Sequence, residues 1–404
     1  MSMEKIFKVL FILSFYWNCS SDLDSDLNIT ESSEAVSYFE EDYNSSRSAF
    51  RKIADEVSNI YPNASQGSFP IAGSDPDLTV DYIFLASFKK NEKTIIITSG
   101  IHGAEAAAGT AVQRNFLKKI YPKYINKDNT SVLIVHSINP YGFKNFRRVT
   151  ENNVDLNRNF GNNTELFKTK NEGYPIIFEL LNPSGQADMS DMGNRFFLFK
   201  AIYNIATKGM SALRQAALQG QYEFSNGIYF GGNAFEPLRK PLDSLFLSTI
   251  GNTKKILYID LHTGYGERGK LHLFPSDPKN DKIKLLTEEI FSGYQIDWAS
   301  NDDFYKVTGE LSTHVCELFP KLEECIPMVF EYGTLNSQTT VGAIDSIHRM
   351  ILENQGHWNG YASEEDKTDI KSQFREMFFP SSKKWRTKVI LDTEKIWSDT
   401  LPRF

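Results

Sequence analysis

Residues 94–105 read TIIITSGIHGAE. A short β-branched run closed by Ser99-Gly100 is the pattern of a buried strand, and the residues after it turn polar where a helix should begin. His102 and Glu105 stand three apart, so at a helix start both side chains fall on one face, where an imidazole nitrogen and a carboxylate can meet on one cation. An isolated HxxE says little, since any helix can carry such a pair on its surface. Here an apolar strand and Gly100 precede it and small Ala and Gly residues follow.

Three further runs repeat the arrangement, an apolar strand with polar residues at its carboxyl end, where ligands collect in open α/β sheets. SVLIVHSINP (131–140) leads into DLNRNF (155–160), ILYIDL (256–261) delivers His262, and IPMVF (326–330) delivers Glu331. With His102 and Glu105, His262 makes a set of two His and one Glu with an open fourth position, the ligand set of catalytic zinc.

The rest of the chain fits a sheet covered on both faces. Apolar residues at helical intervals from Ala35 to Ile60 predict an opening amphipathic helix. Strands are expected at 78–85, 94–98, 131–135, 256–259 and 327–330, with helices near 104–120, 195–219 and 342–354. Strands alternating with helices predict a three-layer α/β/α fold with a mixed, mostly parallel sheet. No repeat and no Pro/Ser-rich linker divides residues 35–404, which read as one domain. Composition agrees: 41% hydrophobic and 24% charged residues suit a globular core, and a net charge of −7 offers no basic field for nucleic acid.

HGAE (102–105), then SINPYGF (137–143) and RRVTENNVDLNRNF (147–160), then DLHTG (260–264) and FEYGT (330–334) together resemble the carboxypeptidase A-like zinc metallopeptidases, most closely a bacterial branch of unknown function. The resemblance covers roughly residues 35–360. It implies one Zn2+ per chain held by His102, Glu105 and His262, and hydrolysis of an amide bond beside a free carboxylate. Glu331 falls at the family's general-base position, and Arg148, seven residues before Asp155, at that of the arginine that polarises the scissile carbonyl. Arg147 is the competitor for that role. Asn157 and Arg158 match the pair that holds a substrate's terminal carboxylate, and Asp155 matches a carboxylate that receives the second ring N–H of His102. Asp260 stands as a speculative partner of His262 and is left outside the assigned site. The interval from Glu105 to His262 is longer than in the archetypal carboxypeptidases, with residues 161–255 reading as the insertion. The family's substrate-covering tyrosine has no clear counterpart, with Tyr265, Tyr294, Tyr305 and Tyr332 competing. His136, His272, His314, His348 and His357 have no ligand spacing and read as core or surface residues.

At the N-terminus, Ile6 to Trp17 is almost wholly apolar and follows Lys5, too short for a bilayer span of roughly 20 residues but suited to a signal peptide over 1–19. An acidic, Ser-rich tether is expected over 20–34, and an exported protein follows. Cys19 stands where a lipoprotein carries its acylated cysteine, which would be the sole membrane link, although Tyr16-Trp17-Asn18 departs from the small and aliphatic residues that usually precede it. Cys316 and Cys325 could bridge in an oxidising compartment or remain buried thiols in a reducing one. Beside a carboxypeptidase acting on peptides, two alternatives stay open: a zinc deacylase of N-acyl amino acids or other small amides, and a surface lipoprotein that keeps the fold for binding alone. The completeness of the ligand set and of Glu331 weighs against the last.

Overall fold

The computed structural model describes residues 24–208, 219–251, 253–276, 280–298 and 308–404. The proposed signal segment and Cys19 lie outside the described residues. Seven strands form one sheet in the order β1-β2-β4-β3-β5-β7-β6. They span Ala64–Pro70 (β1), Thr79–Leu85 (β2), Lys93–Ser99 (β3), Thr130–His136 (β4), Lys255–Gly264 (β5), Leu271–Pro275 (β6) and Glu324–Gly333 (β7). The central four, β4, β3, β5 and β7, run parallel, while β1, β2 and β6 add antiparallel edges.

Alternation along the buried strands sends successive side chains to opposite layers. On one face Ile95, Ile97, Val132, Ile134, Leu257 and Ile259 meet the Tyr43–Ile60, Ala106–Asn115 and Lys383–Thr400 helices, where Phe50, Phe116 and Trp397 pack. On the other, Ile96, Leu133, Val135, Ile256 and Tyr258 meet Leu242, Phe246 and Val315 from the Arg239–Ile250 and Leu311–Glu317 helices. The three-layer α/β/α architecture follows from these two cores.

Several boundaries differ from the sequence expectation. The opening helix begins at Tyr43 rather than Ala35, because Asp42 caps it through the Ser45 N–H and a separate turn, Ser33–Val36, precedes it. Within the stretch read as a tether, residues 24–34 lie on the body: Leu27 is buried in the main core and Asp24 bonds Arg268. In the stretch read as an insertion, the part from Leu238 to Ile250 is a layer of the sheet's own core. Strands β1 and β6 were not anticipated; β1 carries exposed polar residues, Gly67 and Pro70, and is defined by its pairing to β2. Cys316 and Cys325 form a disulfide between the Leu311–Glu317 helix and β7.

A candidate zinc site at the strand ends

The chain leaves β3 for β4 on one side and β5 for β7 on the other, so the carboxyl ends of β3 and β5 flank the point where strand order reverses, the usual place for a ligand crevice. His102 follows β3, and His262 lies near the end of β5, opposite Glu331 in the parallel β5–β7 register. The loop after β3 is fixed by close backbone packing. A Cβ on Gly103 would lie 2.1 Å from the Gly142 carbonyl carbon, so the glycine of HGAE is required by the glycine of NPYGF. Asn139 caps that second turn by accepting from the Gly142 N–H at 2.8 Å, and the Gly103 N–H donates to the Arg148 carbonyl at 3.1 Å. The two motifs therefore fold as one unit.

His102, Glu105 and His262 are all buried, and their candidate ligand atoms lie within 4.8 Å of one another. Among the described residues this is the only His/Cys/Asp/Glu group with such a disposition. Both rings turn Nδ1 to the Glu105 carboxylate, His102 at 2.8 Å from Oε1 and His262 at 3.2 Å from Oε2. Each turns Nε2 to a second carboxylate, His102 to Asp155 at 3.1 Å and His262 to Asp260 at 3.0 Å. A carboxylate on Nε2 fixes the ring N–H there, so Nδ1 is the nitrogen that a metal would take once its proton is displaced. The donor set thus fits Zn2+ in residue type and placement, a bound cation displacing the Nδ1 protons.

Charge is concentrated around the triad. Arg148 donates from Nε to Asp155 at 3.0 Å and from Nη1 to Glu105 at 3.3 Å, and its Nη2 lies 2.7 Å from His102 Nε2. That nitrogen cannot both donate to Asp155 and accept from the guanidinium; metal ligation through Nδ1 selects the first. Burial alone would raise the carboxyls of Glu105 and Asp155, but the adjacent cations outweigh it and hold both well below the usual range. His262 shows the converse: burial opposes its charge, yet Asp260 and Glu105 hold the imidazolium well above its ordinary range. Glu331 is pushed up to about 8 by burial and then by the Glu105 charge. Its Oε1 accepts from the Tyr265 N–H at 2.8 Å.

The remaining expected residues divide. Arg147, the competitor, is buried away from the triad against Glu353 at 3.1 Å, with Asn153 and Asn354 completing its shell. Asn157 is half-buried and accepts the Leu311 N–H at 3.2 Å, while Arg158 is buried and donates to the Asn157 carbonyl at 3.0 Å. Of the tyrosines, Tyr294 binds Asp399 and Tyr332 binds Thr393, both on the C-terminal helix, so neither faces the site. Tyr265 keeps its backbone beside Glu331 and its ring against Phe274, and Tyr305 lies outside the described residues.

Two residues beside the site lie outside the assigned set, Asp260, named only as a speculative partner of His262, and Tyr229. Asp260 was legible in principle, since residues two apart on a strand share a face. Tyr229 was not: it comes from the expected insertion, and its ring centre lies 5.6 Å from the Arg148 guanidinium carbon and 6.0 Å from that of Arg158.

A family described as "Protein of unknown function (DUF2817)" matches residues 39–392. None of the curated proteins matches. Among solved structures, bovine thrombin-activatable fibrinolysis inhibitor in complex with tick carboxypeptidase inhibitor is similar at 14% identity over 79% of this chain and 96% of that one, TM-score 0.46. Carboxypeptidase A from Helicoverpa armigera is similar at 13% identity over 93% of this chain and 80% of that one, TM-score 0.41. An aspartoacylase family protein from Mesorhizobium loti is similar at 15% identity over 74% and 68%, TM-score 0.37.

Proposed function

The chain belongs to the DUF2817 family, and from that premise we propose that it is a zinc-dependent hydrolase of amide bonds, a metallocarboxypeptidase acting beside a free C-terminal carboxylate. The observation that carries this reading is the convergence of His102 Nδ1 and His262 Nδ1 on Glu105, each ring backed by its own carboxylate, with Glu331 on the adjoining strand. Zinc held by His102, Glu105 and His262 would supply Lewis-acid polarisation of the scissile carbonyl and an attacking water of lowered pKa.

The chain's own residues do the rest. Glu331 takes a proton from the attacking water and returns it to the leaving amine. A nearby dication favours its carboxylate form, opposing the burial that raises it. Arg148 stabilises negative charge growing on the carbonyl oxygen, and Asp155 holds both its Nε and the His102 ring. Arg158 grips the terminal carboxylate through its planar fork, with Asn157 beside it.

Export from the cytoplasm belongs to the same proposal. The Cys316–Cys325 bridge supports it, because disulfides persist in oxidising compartments. No helix among the described residues is long and apolar enough to cross a membrane.

The test is a matched pair of substrates, a blocked dipeptide with a free C-terminal carboxylate and the same dipeptide as its amide. The free acid should be cleaved far faster. Equal rates would remove the carboxypeptidase assignment while leaving an amide hydrolase, and cleavage confined to N-acyl amino acids would identify a deacylase.

A further inference from the structure

Tyr229 has a left-handed backbone, φ 58°, which costs a bulky residue energy and persists only where its surroundings impose it. Here they do. The Asp155 N–H donates to the Phe230 carbonyl at 2.7 Å, Asn159 Nδ2 to the Gly231 carbonyl at 2.7 Å, and Asn153 Nδ2 to the carbonyls of Ser225 and Gly227, each at 3.0 Å. Every one of these donors belongs to the 153–159 segment that also carries Asp155, Asn157 and Arg158. The Gln221 N–H holds the Tyr229 carbonyl itself at 3.1 Å. The residue is 8% exposed, and its ring is held near two cations at once, Arg148 and Arg158.

From this we infer that Tyr229 is a positioning residue that fixes the spacing of the Arg148 and Arg158 guanidinium groups and so sets the requirement for a carboxylate one residue beyond the scissile bond. The inference rests on the carboxypeptidase reading and deepens it. Two like charges in one buried pocket repel. An aromatic ring attracts both through its π face and keeps each at a defined distance. Arg148 serves the carbonyl oxygen and Arg158 the carboxylate, so the ring that both guanidinium groups approach acts as the gauge of their separation.

Full-length, zinc-loaded protein would be assayed on hippuryl-phenylalanine and its C-terminal amide. Tyr229→Phe retains the ring and should keep the acid-to-amide preference within about threefold. Tyr229→Asn removes the ring with a residue that tolerates the left-handed backbone, so the acid's KM should rise about tenfold and the preference fall by a similar factor. Zinc content should remain that of the parent, while Tm falls because Tyr229 is buried in the cluster with Tyr174, Ile228 and Phe378. A role in packing alone predicts equal losses on both substrates. A folded, zinc-loaded Asn variant with the parental preference would overturn the inference. Should that variant not fold, pentafluorophenylalanine at position 229 reverses the ring's electrostatics at nearly constant shape; a preference equal to that of Tyr229→Phe would overturn it equally. Failure of the underlying reading looks different: the parent protein itself would show no preference for the acid.

Discussion

Replacing Asp260 with Asn should weaken zinc binding 10- to 100-fold, about 1.4–2.7 kcal/mol, the usual effect of disturbing the partner of a metal-ligating histidine. The structure shows why the loss should be of that size. Asp260 is 1% exposed; its Oδ2 lies 3.0 Å from His262 Nε2, and its Oδ1 accepts from Thr98 Oγ1 at 2.7 Å. Asparagine has nearly the same shape and can still accept one hydrogen bond from the ring. What disappears is the negative charge, which makes the imidazole a better donor to the cation and makes the Nε2 bond roughly twice as strong as a neutral one. The displaced amide group then meets Thr98 Oγ1, whose hydrogen can turn to Tyr258 Oη, 2.7 Å away, so little packing energy is lost. Competition against a chromophoric chelator gives the zinc Kd of both proteins, and thermal unfolding of the metal-free forms checks that the fold is retained. Parental affinity in a folded Asp260→Asn protein would refute the claim that this carboxylate prepares His262 for a metal.

Glu331→Gln should leave zinc stoichiometry unchanged while lowering kcat by about 10²–10⁴-fold, measured by metal analysis and initial rates on the same preparation. Near-normal turnover would place the base elsewhere. His136, fully buried against Phe50 and bonded to Ser46, is pulled down to about 4 by burial, so the folded state keeps it neutral where an unfolded chain would protonate it near 6.5. Stability from this source is complete above the unfolded value and is lost as pH falls toward 4, in total about 3 kcal/mol. Urea unfolding at pH 7, 5.5 and 4.5 should show a flatter acid limb in His136→Gln, and an unchanged slope would contradict the assignment.

The central sheet and much of the site were legible because both rest on short-range pattern. Buried parallel strands are continuous apolar runs, and the residues that follow them fall at one edge of the sheet whatever the loops do. That reasoning brought His102, Glu105, His262 and Glu331 to one place; Arg148 and the role of Asp155 came from the family resemblance, whose spacing to Asp155 set Arg148 apart from Arg147. Edge strands carry no such signal: Ala64–Pro70 becomes a strand only because Thr79–Leu85 offers it a partner. Leu27 is a lone apolar residue in a polar run, and only the surface it meets makes it core. Asp260 was passed over although strand alternation puts it on the face of His262. Tyr229 could not have been read at all. Its place depends on a left-handed backbone imposed by residues 153–159, a tertiary constraint without any local counterpart in SNGIYFGG (225–232).

On the function proposed above, the His102, Glu105 and His262 cluster holds a zinc ion used to hydrolyse an amide bond next to a free carboxylate. Mass spectrometry of a free-acid peptide incubated with the purified protein tests it most directly when the same sample is assayed as isolated, after removal of metal by a chelator, and after addition of one equivalent of Zn2+. Release of the C-terminal residue is expected in the first state, none in the second and recovery in the third, with His102→Ala inactive throughout. Hydrolysis that survives metal removal, or an intact peptide at full zinc occupancy, would contradict it.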